Sequence, residues 1–280
     1  MTDNPSFSVL MSLYKKENPA FLRESLESIL KNTMLPSEIV LVEDGPLTEE
    51  LENVLKEYQG KTGLFRCVVH PQNQGLGIAL RDGVLACKNE IIARGDLYTG
   101  KTYLAVGTPV CKLFKKSVIL DYNLQFDTTL KNREDSLFVF SYLHFCEKYT
   151  ATNKTYYNYY KNDRGSATER FDTGKIEADK KYLKFLSHWL EVEKVPHGQE
   201  IMASEIVNSI RSLTTSLLKN NASISGSYPI SLNFYAQILG GFSLPNTAFQ
   251  FKTKLVMMAL RRRIYTPVFL YYWIKFRRGR

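Results

Sequence analysis

The stretch SFSVLMSLYKKENPAFLRESLESILKNTMLPSEIVLVEDGP, residues 6–46, decides the fold. It opens on an apolar run, Ser6 to Tyr14, that reads as a strand. Asn18 then stands as a helix cap before Pro19, at the first helical position, where a missing N–H has no intrahelical partner to lose. Leu22, Leu26, Ile29 and Leu30 follow at helical spacing on one stripe, and a second apolar run, Glu38 to Asp44, predicts the next strand.

The same unit recurs. Thr48 caps a helix with Leu47, Leu51, Val54, Leu55 and Tyr58 on one face and Gly60 as its stop; Leu64 to His70 is a third strand. A helix with Leu76, Leu80, Val84 and Cys87 inward leads to a fourth strand, EIIAR, residues 90–94. Strands alternating with helices imply right-handed crossovers and a mainly parallel sheet between helical layers, an α/β three-layer sandwich. In such a sheet ligands bind beyond the carboxyl ends of the strands. That edge collects Ser12, Tyr14, Glu43, Asp44, the residues from His70 to Gly75, and Asp96. The first strand is followed by SLYKKENP, with no glycine for a dinucleotide fingerprint, and no P-loop occurs anywhere. The crevice therefore offers a ring and carboxylates, suited to stacking on a base and bonding its edge, with a cation needed between carboxylates and any phosphate.

Composition bounds the rest. With 44% hydrophobic and 23% charged residues in 280, the chain can bury a full core. Cys67, Cys87, Cys111 and Cys146 form no C-x-x-C pair, which argues against a disulfide framework or structural zinc and fits a reducing, cytoplasmic setting. The start, MTDNPSFSVLMSLYKK, lacks the charged and apolar regions of a signal peptide, so an exported protein is not expected. The net charge of +9 resides at the end: residues 251–280 carry nine Lys/Arg and no Asp/Glu. A neutral body with a basic tail does not point to nucleic acid. His70, His144, His188 and His197 show no ligand spacing and read as surface or core residues.

Four stretches carry a resemblance: residues 8–46, NQGLGIALRDGVLACKNEIIAR, GTPVCKLFKKSVI and REDSLFVFSYL. They resemble the family 2 glycosyltransferases of the GT-A fold, the inverting family that builds bacterial capsule and O-antigen polysaccharides. The resemblance implies a Rossmann-like GT-A domain over residues 1–172 and a helical C-terminal region over 173–280. It implies that Tyr14 stacks on the uracil or other base of a nucleotide-sugar, with Ser12 beside it, and that Asp44 accepts from the base's ring N–H. Arg81 sits near the diphosphate, and Asp96 contacts ribose or sugar. In RED, residues 133–135, Glu134 and Asp135 match the family's acidic pair, of which Asp135 is the base that deprotonates the acceptor hydroxyl. Asp135 precedes an apolar helical run, Leu137, Phe138, Phe140 and Tyr142, whose N-terminus favours the ionised carboxylate. Without the resemblance, the two acids read as helix caps.

The family continues after its fourth strand with an acidic cluster that binds Mg or Mn. Here the frame reads Ala93, Arg94, Gly95, Asp96, Leu97, Tyr98, so only the first acid survives and a phenol stands where a metal ligand belongs. The stretch from Asp96 to Glu134 is also shorter than the family's. A degenerate enzyme, a compact variant using Arg94, Lys101 or Arg81 in place of the metal, and an engineered truncation all fit this. TYYNYYKNDRGSATERF, residues 155–171, resembles the family's loop over the donor, with Arg164 and Ser166 as contacts. No Q-x-x-R-W motif is present, so one sugar per visit is expected. From Lys175 the pattern is helical, through Tyr182, Leu183, Phe185, Leu186 and Trp189, then Ile201, Ile206, Ile210, Leu213 and Leu217. IYTPVFLYYWI, flanked by arginines, is too short to span a bilayer but suits the interface of an anionic leaflet; the other reading is a helix packed on the domain with a solvated basic end.

Overall fold

Asn18 does cap the first helix: its side-chain oxygen accepts from the N–H of Ala20 at 2.8 Å, and Pro19 opens the helical run. This is a computed structural model, which describes residues 5–94, 109, 112–130, 132–148, 150, 174–195, 198–219, 227–240 and 251–278. The elements run β1 (Phe7–Leu13), α1 (Pro19–Leu30), β2 (Glu38–Glu43), α2 (Glu49–Lys61), β3 (Phe65–Val69), α3 (Leu76–Ala86) and β4 (Ile91–Arg94). A short β5 (Leu113–Lys115) follows, then α4 (Lys116–Asp121) and α5 (Glu134–His144).

The sheet order is β3-β2-β1-β4-β5. Every pairing is parallel except β4 with β5, where Ala93 faces Leu113 and Ile91 faces Lys115. The antiparallel edge was not apparent in the sequence, because three residues carry no measurable alternation.

Alternation along β1 and β2 builds two cores. Val9, Met11, Leu13, Ile39 and Leu41 pack with Leu22 and Leu26 of α1 and Leu51, Val54, Leu55 and Tyr58 of α2. Leu10, Val40 and Val42 face the opposite way, onto Ala79, Leu80 and Val84 of α3 and Phe138, Val139 and Tyr142 of α5. Phe126 stacks on Phe138 with ring centroids 4.2 Å apart. Gly83 lets α3 press onto the sheet: a Cβ there would stand 2.2 Å from Leu10 Cδ1 and 2.9 Å from Val42 Cγ2.

Two expectations need correcting. α2 runs through Gly60 to Lys61, whose ammonium meets Glu57 at 2.6 Å and closes the last turn. Leu76 is exposed because it is the first residue of α3, and the inward positions are Ala79, Leu80, Gly83 and Val84.

The chain divides into two units, Met1–Thr129 with Glu134–Lys161, and Leu130–Arg133 with Asn162–Arg280. The second unit contains α6 (Gly174–Val192), α7 (Gly198–Lys219), α8 (Ser227–Gly240), α9 (Phe251–Arg261) and α10 (Thr266–Arg278). Its core takes Tyr182, Leu183 and Leu186 from α6 and Ile206, Ile210, Leu213 and Leu217 from α7, while Ile201 near the start of α7 is exposed.

The amino ends of the central strands are tied by a buried carboxylate. Glu38 Oε1 accepts from Ser8 Oγ at 2.7 Å and from the Lys88 N–H at 2.5 Å. Burial works to raise the Glu38 pKa, but the Ser8 hydroxyl and the Lys88 N–H outweigh it and hold it below the usual carboxylate value. A depressed folded pKa contributes stability that is present above the unfolded value and lost as pH falls through the folded one. Glu38→Gln should therefore cost about 1–3 kcal/mol at neutral pH. Urea titrations should find this gap narrowing in acid; a gap that stays constant would show that ionised Glu38 contributes nothing.

Candidate functional site

The carboxyl ends of β1, β2 and β3 are stitched into one surface by backbone bonds. The N–H of Asp44 donates to the carbonyl of Leu13 at 2.8 Å, and that of His70 donates to Glu43 at 2.9 Å. Gly45 lets the β2 exit meet the loop after β3: its φ is +91°, and a Cβ would lie 2.6 Å from the backbone nitrogen of Asn73. Tyr14, partly exposed, follows Leu13 directly, with Lys16 Nζ 6.0 Å from its ring centroid. Ser12, also partly exposed, lies in register with Val42. The fold thus brings Ser12, Tyr14 and Asp44 to one edge.

Asp44 is only 5% exposed, and both of its oxygens are engaged. Oδ1 faces His70 Nδ1 at 3.1 Å and accepts from the Gln74 N–H at 2.8 Å; Oδ2 accepts from the Gly75 N–H at 2.9 Å. On the other side of the ring, His70 Nε2 faces Asp82 Oδ2 at 3.1 Å. Asp82 Oδ1 accepts from Arg81 Nε at 2.8 Å, and that donation holds the Asp82 carboxyl below its ordinary pKa. His70 and Asp82 were missed as site residues. Their contacts reach across 26 and 12 positions, and no local spacing encodes them.

Glu134 and Asp135 are the first two residues of α5, so neither is its cap. The residue before them, Arg133, has φ +70° and belongs to the second unit. There its Nε donates to Asp179 Oδ1 at 2.8 Å, Nη1 to Glu205 Oε2 at 3.3 Å and Nη2 to Ser209 Oγ at 2.9 Å. Its guanidinium lies 4.6 Å from the Tyr182 ring centroid, and Tyr235 donates to Asp179 Oδ2 at 3.1 Å. Such a network offsets the cost of a left-handed non-glycine residue, of order 1–3 kcal/mol.

Asp96, Arg164 and Ser166 lie outside the described residues. Among the described residues no three His, Cys, Asp or Glu side chains form a group that could hold a metal. The frame after β4 supplies one carboxylate, Asp96, and then Leu97 and Tyr98, and a leucine and a phenol are poor partners for Mg or Mn. Burial pushes the Cys87 thiol up to about 11, and it raises Cys67 and Cys146 as well, so none of these is a thiolate nucleophile.

The family model Glycosyl transferase family 2 matches residues 8–96. An uncharacterised glycosyltransferase of Haemophilus influenzae is 52% identical over 90 residues, 32% of this chain and 33% of that protein. The Escherichia coli UDP-Gal:alpha-D-GlcNAc-diphosphoundecaprenol beta-1,3-galactosyltransferase is 39% identical over 94 residues, 34% of each chain. The match thus spans about a third of the length of these relatives. Among solved structures, S. aureus TarS 1-349 in complex with UDP-GlcNAc superposes with a TM-score of 0.58 at 14% identity, over 98% of this chain and 92% of that one. This likeness shows the fold: a GT-A-type, mainly parallel sheet with its helices, and a helical C-terminal region.

Arg133→Met would leave Asp179 with only the Tyr235 hydroxyl among the described groups, and loss of one partner of a buried ion pair typically costs about 3–5 kcal/mol. Denaturant unfolding should show that loss. Arg133→Lys should recover only part of it, because one ammonium cannot reproduce the planar fork.

Proposed function

We propose that this chain, whose residues 8–96 are those of a family 2 glycosyltransferase, moves one sugar from a nucleotide-sugar, a UDP-sugar, to a glycan or lipid-linked acceptor in the making of a cell-surface polysaccharide. The observation that carries the reading is the edge where the β1 and β2 exits, bonded through Asp44 N–H and Leu13 C=O, set a tyrosine beside a buried carboxylate. An aromatic face and an oriented acceptor are what a nucleobase needs for stacking and for its ring N–H. The relatives support the donor and acceptor classes: one is named for UDP-Gal and a diphosphoundecaprenol-linked sugar, and the TarS structure holds UDP-GlcNAc.

In this reading Tyr14 stacks on the base, Ser12 lies beside it and Asp44 accepts its N–H. Arg81, anchored through Nε, keeps both terminal amino groups without a partner among the described residues, available for the leaving diphosphate. Asp135 is the base. It takes the proton of the acceptor hydroxyl as that oxygen bonds to the anomeric carbon, from the face opposite the bond to the nucleoside diphosphate, which departs with its electron pair. The outcome is inversion. The N-terminal turn of α5 favours the carboxylate form that this step requires. Glu134 is its acidic neighbour, Asp96 contacts sugar or ribose, and Arg164 and Ser166 are contacts of the loop over the donor.

The alternative is a remnant that binds the nucleotide without transferring sugar, favoured by the lone acid after β4. The protein acts at the cytoplasmic face of the cell membrane, through α9 and α10. No helix among the described residues is long and apolar enough to cross a bilayer. Both helices bury one row, with Val256 and Leu260 on α9 and Val268 and Tyr272 on α10. They expose Leu255, Met258, Leu270 and Ile274, near the exposed arginines 261–263. Apolar side chains beside cations suit an anionic lipid surface.

Calorimetry with UDP and UDP-sugars, with Mn²⁺ or a chelator, tests the donor site: binding is expected, and no nucleotide binding would overturn the reading. Asp135→Asn should keep donor affinity and lower kcat about 10²–10⁴-fold. Full turnover by that variant would remove Asp135 as base, and a wild-type chain that binds UDP without turnover would favour the remnant. Reversing arginines 261–263 to glutamate should abolish cosedimentation with anionic vesicles, since each cation near such a surface contributes about 1 kcal/mol. Unchanged sedimentation would end the membrane reading.

A further inference from the structure

His70 is buried at 6% exposure, and the transfer chemistry described above gives it no task. Both of its ring nitrogens face carboxylate oxygens, Asp44 Oδ1 and Asp82 Oδ2, each at 3.1 Å. A carboxylate oxygen accepts, so an N–H at Nδ1 donates to Asp44 Oδ1 and one at Nε2 donates to Asp82 Oδ2. Arg81 Nε closes the chain on Asp82 Oδ1 at 2.8 Å. Asp44, His70, Asp82 and Arg81 thus form one chain of polar contacts that runs from the buried end of β2 to the surface.

Asp44 itself is nearly saturated. Among the described residues Oδ1 serves His70 and the Gln74 N–H, while Oδ2 serves only the Gly75 N–H and retains one acceptor position. His70 and the two amides together leave the carboxylate no freedom to rotate that position away.

We propose that His70 is a positioning residue for base selection: it fixes the Asp44 carboxylate so that the remaining acceptor position takes a nucleobase with a ring N–H, such as uracil, over one with a bare ring nitrogen, such as cytosine. The inference rests on the proposed donor site. The selectivity has a simple origin. A base with a bare ring nitrogen opposes a lone pair to a held anion, which costs more than a merely missing hydrogen bond.

The test uses the two amide replacements of histidine. His70→Asn keeps a donor near the Nδ1 position, toward Asp44, and His70→Gln keeps one near Nε2, toward Asp82. Calorimetry with UDP and CDP on the full chain reads the ratio of the two affinities, and thermal unfolding of each variant reports whether the fold is kept. Wild type should prefer UDP. His70→Gln should weaken UDP about tenfold and leave CDP unchanged, the loss expected for one charge-assisted bond, with donor KM raised and kcat at saturation kept. His70→Asn should retain most of the UDP preference. A wild-type UDP to CDP ratio in His70→Gln overturns the proposal, as does an equal loss of both ligands in both variants. Equal binding of the two nucleotides by the wild type overturns it while leaving the donor site intact; binding of neither removes the donor site as well. If His70→Gln does not fold, Asp82→Asn is read by the same ratio: a lowered ratio supports the chain, and an unchanged one overturns it.

Discussion

The carboxyl-end edge of the sheet depends on the donors that the Asp44 carboxylate gathers. One oxygen takes the imidazole of His70 and the Gln74 amide, and the other takes the Gly75 amide. Two of these donors are backbone groups of the turn into α3, so the acid after β2 fixes the conformation of the loop after β3. The Gly75 end of that loop, with φ +93°, starts the helix that covers one face of the sheet. A mobile loop in its place would have to be ordered by the ligand, at roughly 1–2 kcal/mol per residue of backbone entropy.

The opposite edge is built with the same economy. Glu38 ties Ser8 and the backbone of Lys88 at the amino ends of the strands, and Asp44 ties the carboxyl ends of the same sheet. One buried carboxylate serves assembly alone; the other serves assembly and, in the proposed function, also offers an acceptor to a nucleobase. The difference lies in what surrounds them. Glu38 is bounded by neutral donors, whereas Asp44 meets an imidazole whose other nitrogen leads, through Asp82, to an arginine at the surface. Strand position separates the two roles, as expected for a parallel sheet whose ligands lie beyond the carboxyl ends.

What the sequence disclosed follows from the range of each interaction. The Asn18–Pro19 and Thr48 helix starts are local: each cap bonds an amide two or three residues on, so spacing reveals it. The parallel core of β1 and β2 was equally legible, because Leu10, Val40 and Val42 on one face and Met11, Ile39 and Leu41 on the other obey a period of two. Gly60 misled because glycine stops helices only where a left-handed turn is needed, and the Glu57–Lys61 pair carried α2 past it. His70 stood at the correct strand end but read as an ordinary histidine. Its role depends on Asp82, whose side chain reaches it only because Gly83 lets α3 settle onto Leu10 and Val42. Arg133 was quoted merely as part of a triplet, and its partners on α6 and α7 come from the far side of the chain.

The antiparallel edge strand has a consequence for the length of the chain between β4 and α4. Ala93 and Leu113 are paired across the ladder, so the excursion between them leaves and rejoins the sheet at neighbouring points. Closing a loop onto fixed, adjacent ends costs free energy that grows only as the logarithm of its length, about 0.6 kcal/mol for each doubling. The sheet is therefore nearly indifferent to how many residues are spent there. Chain can be added or removed at this edge while the carboxyl-end edge held by Asp44 keeps its geometry, so the two edges are free to change at different rates.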